Sequence, residues 1–178
     1  TGATTGVGVD ALARKDSKVF GLFGSGGQAV NKILAIDAVR DIEKVKVFSR
    51  NPENRIAFCD KMAAMINKEV VPVETPKEVI KDSDVVISAT DSNVPVFDGS
   101  LLEPGQHVVT VVGSNSALVE GGWLKSGRRE NDDETVRRAD VIAVNHLESV
   151  TMEKQAGLYD PIQQGIIAED DIHSLGSI

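Results

Sequence analysis

The sequence predicts a doubly wound α/β fold with a parallel sheet, on three observations. Short apolar runs rich in Val and Ile recur along the chain and alternate with helix-period patterns. Those runs are almost continuously hydrophobic, which suits strands covered on both faces. The first, Val19-Phe20-Gly21-Leu22-Phe23, leads into Gly24-Ser25-Gly26-Gly27-Gln28-Ala29 and then into the helical pattern Val30, Ile33, Leu34, Ile36, Ala38. A strand, a Gly-x-Gly-x-x-(Gly/Ala) turn and a helix in that order form the first turn of a dinucleotide-binding domain, here with Ala29 in the last place. The motif alone is weak; the correct strand before it and helix after it are its confirming context. Residues 1–178 therefore read as one Rossmann-type NAD(P)-binding domain with a leading helix and C-terminal helices.

Taken in order, residues 3–14 read as the leading helix, 18–23 as the first strand and 28–40 as its helix. A second strand, Lys44–Phe48, ends at Ser49-Arg50-Asn51. Asn51-Pro52-Glu53 is an N-cap, a proline at the first helical position and an early acid, opening a helix to about residue 67. Thr75-Pro76-Lys77-Glu78 repeats that logic as a capping box for a short helix. Further strands are predicted at 84–89, 107–112 and 140–144. Residues 116–131 carry Gly121, Gly122, Trp123 and Gly127 without clean periodicity and read as a loop or insertion. Beyond 147 the pattern is helical and weakly amphipathic, through Met152, Leu158, Ile162, Ile166 and Ile167, and places His173 in a terminal helix.

Composition excludes several classes of function. Net charge is −8, from 27 acidic and 19 basic residues with no basic run, whereas non-specific nucleic-acid binding needs clustered Lys and Arg. No stretch approaches the roughly 20 apolar residues needed to span a bilayer, so neither nucleic acid nor membrane is an expected partner. At 178 residues the chain suits one domain, which would bury about 70% of its unfolded surface. The single cysteine, Cys59, cannot form an intrachain disulfide, and a reducing, cytoplasmic setting is expected. Ile56, Met62 and Ala63 place it on an apolar helix face, as a structural thiol. The chain opens on Thr1 and reads as beginning within a longer protein.

Other catalytic constellations find no support. His107, His146 and His173 match no zinc spacing, and one cysteine cannot complete a soft site, so no metal is expected. No GxSxG, HExxH or Walker pattern occurs, and Ser114 and Ser116 lack evident His–Asp partners. The acidic run at 130–134 reads as helix capping by Asp132 and Asp133. His146, near the C-terminal edge of a predicted strand, either touches substrate or serves as a capping or surface residue.

The residue types of the glycine turn follow from anion chemistry. Gly24 permits the tight strand-to-helix turn, Gly26 lets the backbone approach a pyrophosphate, and Ala29 keeps helix and sheet close. N–H groups at the helix start then face the anion. Enzymes of this fold that use NAD carry an acid at the end of the second strand for the ribose 2′-hydroxyl, whereas an Arg accommodates the 2′-phosphate of NADP. This chain has Ser49-Arg50-Asn51 there. Arg50 can grip a phosphate bidentately and stack on adenine, with Ser49 and Asn51 adding hydrogen bonds. NADP(H) is the preferred cofactor and NAD(H) the alternative. In the competing reading Arg50 is a solvated loop residue and Asn51 only a helix cap.

Several segments together resemble the ornithine cyclodeaminase/μ-crystallin family. Thr1-Gly2-Ala3 resembles the end of its Arg-Thr-Gly-Ala segment, and Gly24-Ser25-Gly26-Gly27-Gln28-Ala29 its Gly-x-Gly-x-Gln-(Gly/Ala) turn. Ser88-Ala89-Thr90-Asp91-Ser92 is similar to its Thr/Ser-Ala-Thr-x-Ser loop. Gly105-Gln106-His107-Val108 with Val112-Gly113-Ser114-Asn115 resembles its Pro-Gly-x-His strand and the glycine turn after it. Arg129-Glu130-Asn131-Asp132 followed by Arg138-Ala139-Asp140-Val141 fits its Arg-Glu-(Leu/Ile)-Asp segment and next strand.

The resemblance implies a homodimeric, nicotinamide-dependent enzyme of small amino or cyclic imino acids, with hydride transfer at the carbon bearing nitrogen. By position, Gly27, Gln28, Thr90, Val112, Gly113 and Ser114 would carry cofactor contacts, and Thr1 would lie near the cofactor phosphates. Cyclodeaminases of the family place an Asp, as proton shuttle, where this chain has Asn115. An amide does no acid–base work at neutral pH, so Asn115 counts against cyclodeamination. It either orients a substrate nitrogen or a water, or is a turn residue after Gly113. The family's substrate-carboxylate Arg and upstream Lys have no counterpart here, so the chain is expected to hold the cofactor half of an active site and to turn over poorly alone. The resulting expectation is an NADP(H)-dependent imine reductase or amino-acid dehydrogenase. An NAD-dependent ornithine or lysine cyclodeaminase, an NADPH-dependent binding protein without turnover, and a structural remnant are the rivals.

Overall fold

The computed structural model describes residues 2–111, 116–125 and 127–178. Two compact units emerge, Thr1–Thr90 with Leu101–Val111, and Asp91–Ser100 with Val112–Ile178, within the span that the sequence reading takes as one domain.

The first unit is the dinucleotide-binding fold. It runs α1 (Gly2–Leu12), β1 (Val19–Phe23), α2 (Gly27–Asp37), β2 (Lys44–Phe48), α3 (Pro52–Ile66), β3 (Glu69–Pro72), α4 (Pro76–Ile80), β4 (Val85–Ser88) and β5 (His107–Thr110). The five strands are all parallel, in the order β3-β2-β1-β4-β5. The strand order reverses between β1 and β4, and in open α/β sheets the ligand crevice lies at the carboxyl ends of the strands at that point.

On one sheet face, Phe20, Leu22, Val45, Val47, Val85 and Ile87 meet Ile33 and Ile36 of α2 and Phe58, Met62 and Ile66 of α3. On the other, α4 comes so close to β1 that a Cβ on Gly21 would lie 2.3 Å from the Val79 carbonyl oxygen. Arg40 clamps α1 down: its guanidinium donates to the carbonyls of Val9 (2.8 Å), Asp10 (3.0 Å) and Ala13 (3.1 Å) at the end of that helix. Lys32 Nζ donates to Thr5 Oγ1 at 2.6 Å, a second tie between α1 and α2. Asp84 ties the amino ends of β4 and β1 together, accepting from the N–H groups of Lys18 (2.8 Å) and Val19 (2.9 Å).

The second unit contains α5 (Ser116–Glu120), α6 (Asp133–Arg137), β6 (Ile142–Val144), α7 (Leu147–Thr151), α8 (Ala156–Gln163) and β7 (Ile172–Ser174). Asp132 caps α6 by accepting from Thr135 N–H at 2.8 Å and also takes the Gly99 N–H at 2.9 Å. Arg138 donates to the Gly99 carbonyl at 2.7 Å, so one short stretch is held from both sides.

The predicted class holds, with four corrections. β3 was not expected: Glu69-Val70-Val71-Pro72 is too short to show a period, and an edge strand tolerates both an exposed acid and a terminal proline. The strand expected over 140–144 is β6, which pairs with β7 in a separate two-stranded parallel sheet. His173 lies on β7 rather than in a terminal helix, because three residues carry no readable periodicity. The aperiodic stretch from 116 opens with the short helix α5.

Candidate functional site

The site grows from the end of β1. Gly24 has φ of +107°, and a Cβ there would come within 2.3 Å of the Ala89 carbonyl oxygen at the end of β4. Its N–H donates to the Phe48 carbonyl at 2.8 Å, so this one turn touches the ends of both neighbouring strands. No side chain larger than hydrogen fits there without moving backbone.

The next residues leave space rather than fill it. Gly26 is the N-cap of α2 with extended backbone and no side-chain capping bond, and α2 carries no acid in its first turn. A Cβ built on Gly26 or Gly27 meets nothing within 4 Å. The positive end of an eleven-residue helix thus faces an open, uncapped surface, the arrangement that binds a phosphate. Ala29, fully buried, sets the close contact of helix on sheet. A dinucleotide fits these residues: the glycines leave room for its diphosphate, and the first turn of α2 holds no acid to repel it.

The tip of β2 is tied to this turn through a hydroxyl pair, Ser25 Oγ to Ser49 Oγ at 3.1 Å. Arg50 is exposed beside it. Asn51 is the N-cap of α3, its Oδ1 accepting from Asn54 N–H at 2.9 Å, so that part of its predicted role is structural. Its amide NH₂ remains oriented by that bond and available as a donor. Thr90 follows β4, with its methyl 3.5 Å from the position of a Gly24 Cβ.

The structure therefore brings Gly24, Gly26, Gly27, Gln28, Ser49, Arg50, Asn51 and Thr90 to the carboxyl edge of one sheet. Thr1, Val112, Gly113, Ser114 and Asn115 lie outside the described residues. His146 is exposed, and its carbonyl accepts from Ser149 Oγ at 2.7 Å at the start of α7. Asp132 is a helix cap, and among the described residues no group of acids, histidines and cysteines has the arrangement of a metal site. No described helix is long and apolar enough to cross a membrane.

Sequence reasoning missed Arg55 and Glu74. Arg55, one turn into α3, is 3% exposed, yet its guanidinium reaches the Ser49 carbonyl at 3.3 Å and the Glu74 carboxylate at 2.7 Å. It also lies 5.5 Å over the Phe48 ring. The available signal was a charged residue on the otherwise apolar inner face of a helix that starts at the nucleotide end of the sheet.

The model of the ornithine cyclodeaminase/mu-crystallin family matches residues 1–178. The chain belongs to that family. A Delta(1)-pyrroline-2-carboxylate reductase of Bacillus cereus is 32% identical over 179 aligned positions, covering 100% of this chain and 51% of the relative. The chain thus spans about half the length of the curated relatives it matches. Among solved structures, the Thermococcus litoralis Delta(1)-pyrroline-2-carboxylate reductase in complex with NADH and L-proline superposes with a TM-score of 0.86 at 34% identity, over 99% of this chain and 51% of that one. The iminosuccinate reductase of Paracoccus denitrificans in complex with NAD+ gives 0.81 at 26% identity, over 99% and 50%. This family member thus shares its nucleotide fold with reductases whose structures hold NADH or NAD+.

Proposed function

We propose that this chain is the nucleotide-binding part of an NADP(H)-dependent oxidoreductase that acts on a small amino or cyclic imino acid, by imine reduction or the reverse oxidative deamination. The observation that carries the reading is Arg50 at the β2 tip, beside the Ser49–Ser25 hydroxyl pair that links this tip to the open glycine turn. The relatives support the reaction class, since two of them are named as reductases of pyrroline-2-carboxylate and of iminosuccinate.

When bound, the nicotinamide supplies or accepts the hydride. The chain's own residues position it. The first turn of α2, opened by Gly26 and Gly27, holds the diphosphate, with Gln28 and Thr90 at its flanks and Thr1, Val112, Gly113 and Ser114 adding contacts. Ser49, Arg50 and Asn51 take the adenosine ribose and its 2′-phosphate. Asn115 orients a substrate nitrogen or a water without exchanging a proton. Its amide favours hydride chemistry over the proton shuttling of ring closure. The full-length enzyme works as a homodimer.

Nucleotide selectivity tests the proposal. Replacing Arg50 by Ala removes a charge-assisted phosphate contact and should weaken NADPH binding about tenfold or more. NADH binding should barely change. Titration of full-length protein by nicotinamide fluorescence measures both, and equal wild-type affinities for NADPH and NADH would overturn the NADP assignment.

A further inference from the structure

We propose that Arg55 is a specificity-determining positioning residue for the nucleotide's 2′ substituent, acting by neutralising the Glu74 carboxylate and holding the Ser49 carbonyl at the tip of β2. The inference rests on the cofactor reading above and names the device that lets the tip accept a phosphate.

The geometry makes Glu74 the acid that this cofactor site must manage. In the ladder of β2 and β3, Val47 pairs with Pro72, and Val73 N–H donates to the Val47 carbonyl at 2.9 Å. The chain after β3 therefore runs on beside the end of β2 and delivers Glu74 alongside Ser49-Arg50. An acid at the end of the second strand is how this fold selects the ribose 2′-hydroxyl and repels a 2′-phosphate. Glu74 approaches the same place from the neighbouring strand, with its carboxylate side chain 76% exposed.

Arg55 answers that acid. Its guanidinium is planar, carries a permanent charge and has donors on separate nitrogens, so one group can serve two acceptors. One terminal nitrogen donates to Glu74 at 2.7 Å and the other to the Ser49 carbonyl at 3.3 Å. The Phe48 ring beneath it and its near-complete burial fix the orientation. Glu74 is fixed on its own side as well, since its backbone N–H donates to Glu78 Oε2 at 3.0 Å, the carboxylate that also closes the capping box of α4. With Glu74 paired, its negative charge opposes a 2′-phosphate at the β2 tip less strongly.

The experiment uses full-length wild type and the variants Glu74→Gln, Arg55→Met and the double variant, titrated with NADPH and NADH and with 2′,5′-ADP and 5′-AMP. Glu74→Gln keeps an amide oxygen that can accept from Arg55, and a thermal melt of each variant checks that it is folded. It should tighten the 2′-phosphorylated ligands roughly two- to fivefold, the scale of one exposed charge pair, and leave the others unchanged. Arg55→Met keeps the bulk over Phe48 but frees Glu74, and should weaken the 2′-phosphorylated ligands by about fivefold or more. Adding Glu74→Gln to Arg55→Met should recover most of that loss, a rescue that a merely structural role for Arg55 would not show. Equal shifts for both ligand classes on Glu74→Gln, or no rescue in the double variant, would overturn the inference whatever the wild type prefers. Equal wild-type affinity for 2′,5′-ADP and 5′-AMP would instead strike at the cofactor reading beneath it.

Discussion

His107 opens β5 as a partly buried imidazole, and burial, with the positive charge of Arg40 adding to it, holds its pKa down to about 4 from an ordinary 6.5. The unfolded chain takes up that proton at the ordinary value. Between about pH 6.5 and 4 the unfolded state therefore binds more protons, and acidification destabilises the fold. The effect is on the order of 1–3 kcal/mol, reduced from its ceiling by the residual solvent access of the ring. Urea unfolding at pH 7, 5.5 and 4.5 should show His107→Gln losing less stability than wild type over that window; parallel losses would assign the acid sensitivity elsewhere. At Cys59, 2% exposed, burial above all and then the Asp60 charge push the thiol up to about 11, as its place on an apolar helix face suggested. The residues hardest to anticipate were Arg55 and Glu74. Neither stands in a motif, and their meeting depends on strand β3, which four residues could not announce.

At the scale of elements, helix starts were the most legible features, because caps are local chemistry. Thr75 and Glu78 form the reciprocal capping box their spacing implied, with Thr75 N–H donating to Glu78 Oε2 at 2.8 Å. Asn51 caps α3 as Asn-Pro-Glu suggested, and this raises a question of roles, since it also belongs to the proposed nucleotide contact. Two substitutions separate them. Asn51→Ala removes the cap and should cost about 1 kcal/mol of stability. Asn51→Asp keeps a side chain of equal capping strength but sets a carboxylate next to Arg50. Its melting temperature should stay near that of wild type while NADPH affinity falls; unchanged NADPH affinity would leave Asn51 as a cap alone. Short strands were the least legible. β3 and β7 escaped notice because four and three residues hold no period, and β7 forms by pairing with β6 rather than by local preference.

At the scale of the molecule, the glycine turn carried most of the reading. Because Gly24 must pass under Ala89 and Gly26 must stay bare, the same residues specify both the β1–α2 connection and the space for a ligand. The parallel sheet followed from Val- and Ile-rich runs, but strand order did not, since it depends on which distant segments pair. That order has a kinetic consequence. Phe20 in the central strand β1 pairs on one side with Val45, in the very next strand, and on the other with Val85, beyond two more helices and a further strand. Closing so long a loop is slow in folding. Until it closes, β1 presents an apolar strand with one row of unpaired backbone groups, the kind of edge on which chains aggregate. Pulse-labelled hydrogen exchange during refolding should therefore protect the β1–β2 amides before those between β1 and β4. On a ribosome, the emerging chain must be kept from its neighbours until residue 88 is out, so one flank of β1 is sewn long before the other.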